Sequence, residues 1–356
     1  LIDVAVCPEC QVPELYQNEI YYQNNGDIVQ RLDPHNRGAL IECENLDPVF
    51  KNIADIMGVS IEHIVINTVA RVSELYNNAA MSDELRQMIR SKQIDIVPIA
   101  EAIGFRGNLW GYGNHEWLDF RYENDKDDFS IQRVTQPFSV PIMAGSYAGA
   151  LSAAVGGEHE VTYEEEAPGV YVFNTHWTEY EEEFKEMIEI IPYEHRDGDC
   201  DTERCATCGG PLGLSVYKWF PEEGLIKHRL TGRRMAAIVE QSLDPVFKVL
   251  EQELGEEIPA AVVEAQRRFV KTGFDYSDMM VAEEDLRTGL AIRGLGNLKE
   301  FKINGKRFNL ELENACLHLL LLGFIQGTFE LALGIESNIE WELSDDRYLK
   351  LEIVAK

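Results

Sequence analysis

The chain of 356 residues is 45% hydrophobic and 26% charged, ordinary globular usage and long enough for two domains, each with its own core. Its formal net charge of −30 repels phosphate, which disfavours direct nucleic-acid binding and attachment to an anionic membrane, and the acidity reads as a solubility device. No apolar run has the length of a membrane span without an interruption; the nearest, Ala315 to Ile335, contains His318, Gln326 and Glu330 and reads as a buried helix.

The chain begins on Leu1 rather than Met, which leaves the N-terminus and a processed signal open. Seven cysteines are an odd count, and four of them sit in Cys-x-x-Cys pairs, Cys7/Cys10 and Cys205/Cys208. That pattern suits a reducing, cytoplasmic setting with metal or redox chemistry rather than a secreted disulfide framework.

In chain order, the Cys7/Cys10 knuckle precedes Tyr21 to Val29, where Asn25-Gly26 between two β-prone runs predicts a hairpin. Leu46-Asp47-Pro48-Val49-Phe50 then opens a helix, with Asp47 as N-cap, Pro48 in the first turn, an apolar face through Ile53 and Ile56, and Gly58 as the stop. A second helix follows, with Ile61, Val65, Val69 and Val72 on one face. Trp110 to Phe120 and Phe129 to Val134 read as strands around the polar turn Asn124 to Asp128. A small-residue helix, Met143 to Val155, carries Gly145 and Gly149 one turn apart, a face that admits close backbone approach. Glu160 to Tyr163 and Val170 to Phe173 close the unit as strands.

The same order then returns. Cys205/Cys208 repeats the knuckle, and Val216 to Trp219 with Leu225 to His228 repeats the hairpin. Leu243-Asp244-Pro245-Val246-Phe247 repeats the helix start residue for residue, Gly296-Asn297-Leu298 matches Gly107-Asn108-Leu109, and Gly323/Gly327 matches Gly145/Gly149. The chain is therefore one unit written twice, a fused dimer: 1–174, an acidic linker 175–202, and 203–356. Within the linker, Glu181-Glu182-Glu183 reads as a solvated face and Asp197 to Asp201 as a loop whose spacing fits no EF-hand. The fold class expected is α/β in the α+β sense, two pseudo-twofold-related helix-plus-antiparallel-sheet units.

The run Gly111-Tyr112-Gly113, an acidic hairpin, a β run ending at Val134, then Ala144-Gly145-Ser146-Tyr147-Ala148-Gly149, then Val161-Thr162-Tyr163-Glu164 resembles the 4-vinyl reductase domain, the predicted hydrocarbon-binding domain. The preceding hairpin and helices resemble the ligand-sensing part of phenol-responsive activators. The resemblance implies helices and an antiparallel sheet enclosing an apolar pocket, with the domains paired. Family members often hold zinc through cysteines near the late helix and final strand; Ala167, Tyr171 and Ile339 to Ile353 offer none here, so that site is expected to be missing.

Chemistry is expected at two places. Cys7, Cys10, Cys205 and Cys208 supply four thiolates, the closed tetrahedral set of a structural zinc; an iron–sulfur cluster is the alternative. Cys200 is a spare ligand by proximity, whereas Cys43 and Cys316 lie in apolar surroundings and read as core. Trp110, Tyr112, His115, Trp117 and Phe120 make the first unit the aromatic one, the place for an apolar or aromatic ligand, with His115 and Tyr112 as polar anchors. No Ser/His/Asp order, phosphate-binding loop or His-Glu-x-x-His is present, and Gly294-x-Gly296 lacks the third glycine of a dinucleotide fingerprint. Binding or sensing of such a molecule is the leading reading, with a further protein partner open. An enzyme or accessory acting on an aromatic or tetrapyrrole intermediate, and a ligand-free scaffold, are the alternatives.

Overall fold

The computed structural model describes all residues except 1–3, 124, 181–187, 189–192 and 274–282, so the Glu181-Glu182-Glu183 expectation lies outside the described residues. The fold is mixed, helices with antiparallel sheets. In the first half come α1 (Glu14–Glu19), β1 (Ile20–Tyr22), β2 (Ile28–Gln30), β3 (Arg37–Glu42), α2 (Leu46–Met57), α3 (Glu62–Ala80), α4 (Asp83–Arg90) and α5 (Ile96–Leu109). They are followed by β4 (Asn114–Arg121), β5 (Phe129–Thr135), α6 (Val140–Val155), β6 (Glu158–Ala167) and β7 (Val170–Thr178). The second half runs β8 (Tyr217–Phe220), β9 (Leu225–His228), β10 (Arg234–Val239), α7 (Asp244–Leu254), α8 (Ile258–Lys271) and α9 (Glu283–Ile292). It ends with β11 (Asn297–Asn304), β12 (Arg307–Glu313), α10 (His318–Leu333), β13 (Ser337–Leu343) and β14 (Leu349–Ala355).

The halves are joined by strands that the sequence reading passed over. β3 and β10 pair antiparallel, Leu40 opposite Ala237 and Ile41 opposite Ala236, so that two three-stranded pieces merge into one sheet of order β1-β2-β3-β10-β9-β8. Both strands are short, buried apolar runs with no alternation, which periodicity alone cannot assign. Each half keeps its own four-stranded sheet, β4-β5-β7-β6 and β11-β12-β14-β13.

Helices cross the seam as well. α2 packs on α8 and α3 on α7, with Asn52 Nδ2 donating to the Ala265 carbonyl at 3.0 Å. Instead of two separate cores, one apolar cluster runs through both halves, from Ile41, Phe50 and Val69 to Ile238, Phe247 and Val263. Burial is the dominant favourable term in folding, so neither half retains its full core alone.

The glycine helices behave as their spacing predicts. A Cβ on Gly145 or Gly149 would lie 2.5 Å from the Ile66 carbonyl oxygen or 2.1 Å from that of Ala70, and one on Gly323 would lie 2.2 Å from that of Val263. Thus α6 lies against α3, and α10 against α8, at backbone contact. Asp47 does not cap its own helix; α2 begins at Leu46, and the Asp47 carboxylate accepts instead from Val140 N–H at the start of α6, 3.0 Å away.

The glycine equivalence between the halves also needs correcting. Gly107 to Leu109 lie inside α5, whereas Gly294 and Gly296 precede a strand; their structural counterparts are Gly111 and Gly113, which precede β4. All four have positive φ. The chain turns there so tightly that the β1–β2 turn glycine, Gly26, sits on Gly296, and its counterpart Gly224 sits on Gly113. Trp110 consequently precedes β4 and is not part of it.

A Cβ at Gly224 would stand 1.9 Å from the Gly113 carbonyl oxygen with φ at +67°, whereas Gly232, at +71°, meets nothing within 4 Å. Gly224→Ala is expected to cost roughly 2–4 kcal/mol and Gly232→Ala about 1 kcal/mol. Denaturant unfolding measures both, and equal losses would remove the seam contact as a source of stability.

Candidate functional site

Two sites emerge, one of sulfur and one of apolar surface. Each Cys-x-x-Cys turn is a tight knuckle: Gln11 N–H donates to the Cys7 carbonyl and Gly209 N–H to the Cys205 carbonyl, both at 2.9 Å, with the residue after the second cysteine at positive φ. That turn points backbone N–H groups at sulfur. The pseudo-twofold then brings the knuckles face to face, Cys7 Sγ 3.6 Å from Cys205 Sγ and Cys10 Sγ 3.6 Å from Cys208 Sγ, all four within 4.8 Å. Zinc bound at about 2.3 Å by a tetrahedron of thiolates would set its sulfurs about 3.8 Å apart, so the spacing fits a four-thiolate metal.

The four thiols are not electrostatically alike, and burial raises Cys205 as well as Cys10. Burial pushes the Cys10 thiol up to about 12, whereas at Cys7 burial is outweighed by the N–H groups of Cys10 and Glu9 and the thiol falls to about 7. The Glu9 carboxylate crosses the seam, accepting from Thr207 N–H at 3.1 Å and from the Thr207 hydroxyl at 2.8 Å. Cys200 does not join the group; it is buried beside the first hairpin, its N–H on the Asn24 carbonyl at 2.7 Å. Cys43 and Cys316 are core, as expected. In the Asp197 to Asp201 loop, Asp199 already accepts from Asn297 and Lys299 at 2.9 Å.

The second site is a cavity of about 250 Å³ in the first half. Its walls are α3, α5 and α6, its floor is β4 and β5, and one side is closed by Ile238, Val239 and Gln241 to Leu243 from the second half. Sequence reasoning missed α5, although Ile96, Ile99 and Ile103 recur at helical spacing and Asp95 caps the helix by accepting from Val97 N–H at 3.0 Å.

Of the five aromatic and histidine positions singled out, Trp110, Tyr112, His115 and Trp117 line this cavity. Phe120 does not; it is 38% exposed and edges onto Trp117 from outside. Tyr112 contributes its ring, stacked 4.4 Å from Phe138, but its hydroxyl is committed to the Ala237 carbonyl of the other half at 2.8 Å. Trp110 donates from its indole to Glu19 at 3.1 Å.

His115 stands on β4 with Nδ1 2.6 Å from the hydroxyl of Tyr147, a cavity residue that the sequence marks only as part of the glycine-helix motif. Its Nε2 is buried without a partner, and burial lowers the imidazole to about 4, so the ring is neutral at physiological pH. At the corresponding positions of the second half stand larger rings: Ser146 and Leu151 on α6 correspond to Phe324 and Phe329 on α10, both buried. His318, at the start of α10, packs against Trp341 and gathers no cysteine or carboxylate set around it among the described residues. No helix among the described residues is long and apolar enough to cross a membrane.

No family model matches the chain, and no curated protein aligns with it. Solved structures overlap weakly. A point mutant of T. Tengcongensis H-NOX is 17% identical over 39% of this chain and 81% of that chain, with a TM-score of 0.26. A Cs H-NOX mutant carrying 4-cyano-L-phenylalanine is 18% identical over 39% of this chain and 80% of that chain, also at 0.26. At such scores the likeness assigns neither fold nor ligand to this chain.

Because His115 titrates near 4 when folded and near 6.5 when unfolded, the unfolded chain binds the extra proton between those values. Its contribution to stability is therefore whole above about 6.5 and falls as the pH drops toward about 4, by roughly 1.4 kcal/mol per pH unit. His115→Phe should flatten the stability profile in that window by one proton's worth, and an unchanged slope would show that the imidazole is not held neutral.

Proposed function

We propose that the chain is a tandem pair of 4-vinyl-reductase-like units, 1–174 and 203–356 joined by 175–202, that binds a small apolar or aromatic molecule in the first unit. The halves are clamped by a zinc ion on Cys7, Cys10, Cys205 and Cys208. The observation that carries the reading is the asymmetry of the cavity: a duplicated scaffold keeps about 250 Å³ open in one half and places Phe324 and Phe329 at the corresponding positions in the other. A largely apolar concavity with a few polar groups is the usual form of a small-molecule site.

In this reading Trp110, Tyr112 and Trp117 supply apolar contact and the neutral His115, oriented by Tyr147, supplies a hydrogen bond. The zinc contributes cross-linking: four protein ligands leave no open coordination position, which suits structure rather than catalysis.

Native mass spectrometry on anaerobically purified protein tests both parts. One zinc per chain is expected, lost in the Cys205→Ser/Cys208→Ser variant together with part of the thermal stability; an iron–sulfur mass would replace the clamp with a redox centre. Ser146→Phe copies the second half's residue into the cavity and is expected to abolish binding of naphthalene while leaving the melting temperature within a few degrees. Naphthalene binding that survives this change would move the ligand elsewhere, and turnover of a bound molecule would make the protein an enzyme.

A further inference from the structure

The cavity holds more unmet hydrogen-bonding capacity than His115 alone. Gln30 on β2, Gln132 on β5 and Gln241 just past β10 all line it, with only 8%, 3% and 9% of their surface exposed. Each amide has one atom engaged and the other buried without a partner. Gln241 Nε2 donates to the His35 carbonyl at 2.8 Å, which leaves its Oε1 as an acceptor. Gln30 Oε1 accepts from the Tyr76 hydroxyl at 2.7 Å, which leaves its Nε2 as a donor. Gln132 Nε2 reaches Ser130 Oγ at 3.1 Å, leaving Oε1.

A buried polar atom left unsatisfied is costly, and three in one mostly apolar enclosure call for a partner. The engaged atoms matter as much: the bonds from Tyr76 and to His35 hold both amides in place before any ligand arrives. Gln30 and Gln241 also come from different halves. At the equivalent places of the duplicated chain stand His228 and Glu44, the latter exposed, so the glutamine pair belongs to the cavity side alone.

Among the described residues the lining offers no free charge. Arg106 is paired with Glu19 at 2.6 Å and lies over Trp110, and His115 is neutral. An ionised ligand would lose its hydration there without gaining a counter-ion.

We propose that Gln30 and Gln241 form a shared polar end of the cavity, and that the ligand is an uncharged, largely apolar molecule bearing a group that both accepts and donates hydrogen bonds, such as a primary amide or a hydroxyl. The proposal rests on the cavity being the ligand site. It adds the chemistry of the ligand and makes its recognition a joint act of the two halves.

Calorimetric titration of the full chain with naphthalene, naphthamide and naphthoate at neutral pH tests it. Naphthamide should bind about tenfold tighter than naphthalene, and naphthoate at least tenfold weaker than naphthamide. Gln241→Leu and, independently, Gln30→Leu should each bring naphthamide down about tenfold and leave naphthalene unchanged, the unchanged affinity showing that the cavity is intact. Naphthamide binding no tighter than naphthalene, naphthoate binding tightest, or glutamine variants that weaken both neutral probes equally would overturn the glutamine end while leaving the apolar site standing. Failure of all three probes to bind wild-type protein would overturn the site itself and the inference with it.

Discussion

The antiparallel pairing of β3 with β10 is the constraint from which the rest of the molecule follows. Once Ala39 to Glu42 lies against Met235 to Ile238, each half's hairpin is carried over to the other half's sheet. That is why Gly26 must meet Gly296 and Gly224 must meet Gly113, with no room for a side chain at either crossing. The same geometry repeats in the backbone: Ala237 N–H donates to the Trp110 carbonyl and Leu40 N–H to the Arg293 carbonyl, both at 2.8 Å. The two halves joined this way do not part as independent domains, because the seam combines a sheet ladder, an apolar core and buried ion pairs such as Arg293–Glu42.

Duplication under that constraint leaves few places where the halves can differ. The shared sheet and the knuckles pack on their own counterparts, and each glycine helix holds a helix, α3 or α8, that packs across the seam. The volume between the glycine helix and its sheet is exempt, and there the copies diverge. The second half packs aromatic rings on α10, and its Arg293 stands where the first half has Trp110, paired with Glu42 across the seam. The first half sets α5, the counterpart of α9, along the opening and keeps Ser146 and Ala150 small.

What was legible in the sequence is what depends on local chemistry or strict repetition. Asn25-Gly26 marks its hairpin because few other residues make that turn, Gly145/Gly149 mark a helix contact because spacing fixes the face, and two Cys-x-x-Cys pairs mark a joint site because thiolates come in fours around a metal. What was not legible depends on tertiary context. Gly38-Ala39-Leu40-Ile41 is too short and too uniformly apolar to distinguish a central strand from a helix edge. Gly107-Asn108-Leu109 matches Gly296-Asn297-Leu298 by letters while Gly111 and Gly113 hold the matching backbone. Gln30, Gln132 and Gln241 carry no signal at all until three separate elements bring them to one cavity, because a glutamine in a sequence is ordinarily a surface residue.

The two sites are not isolated from each other. The buried sulfurs of Cys7, Cys10 and Cys205 belong to an apolar cluster that continues through Tyr16, Leu40, Ile226 and Met235 to Trp110, and Trp110 is also a wall of the cavity. Glu19, on the α1 segment that follows the first knuckle, holds both Trp110 and Arg106. A metal that fixes the knuckles therefore fixes the chain from which Glu19 projects, and with it one side of the cavity. A ligand engaging Gln30 and Gln241 would touch residues of both halves beside that seam. Under the proposed reading, each would favour the joined arrangement of the halves that the other uses.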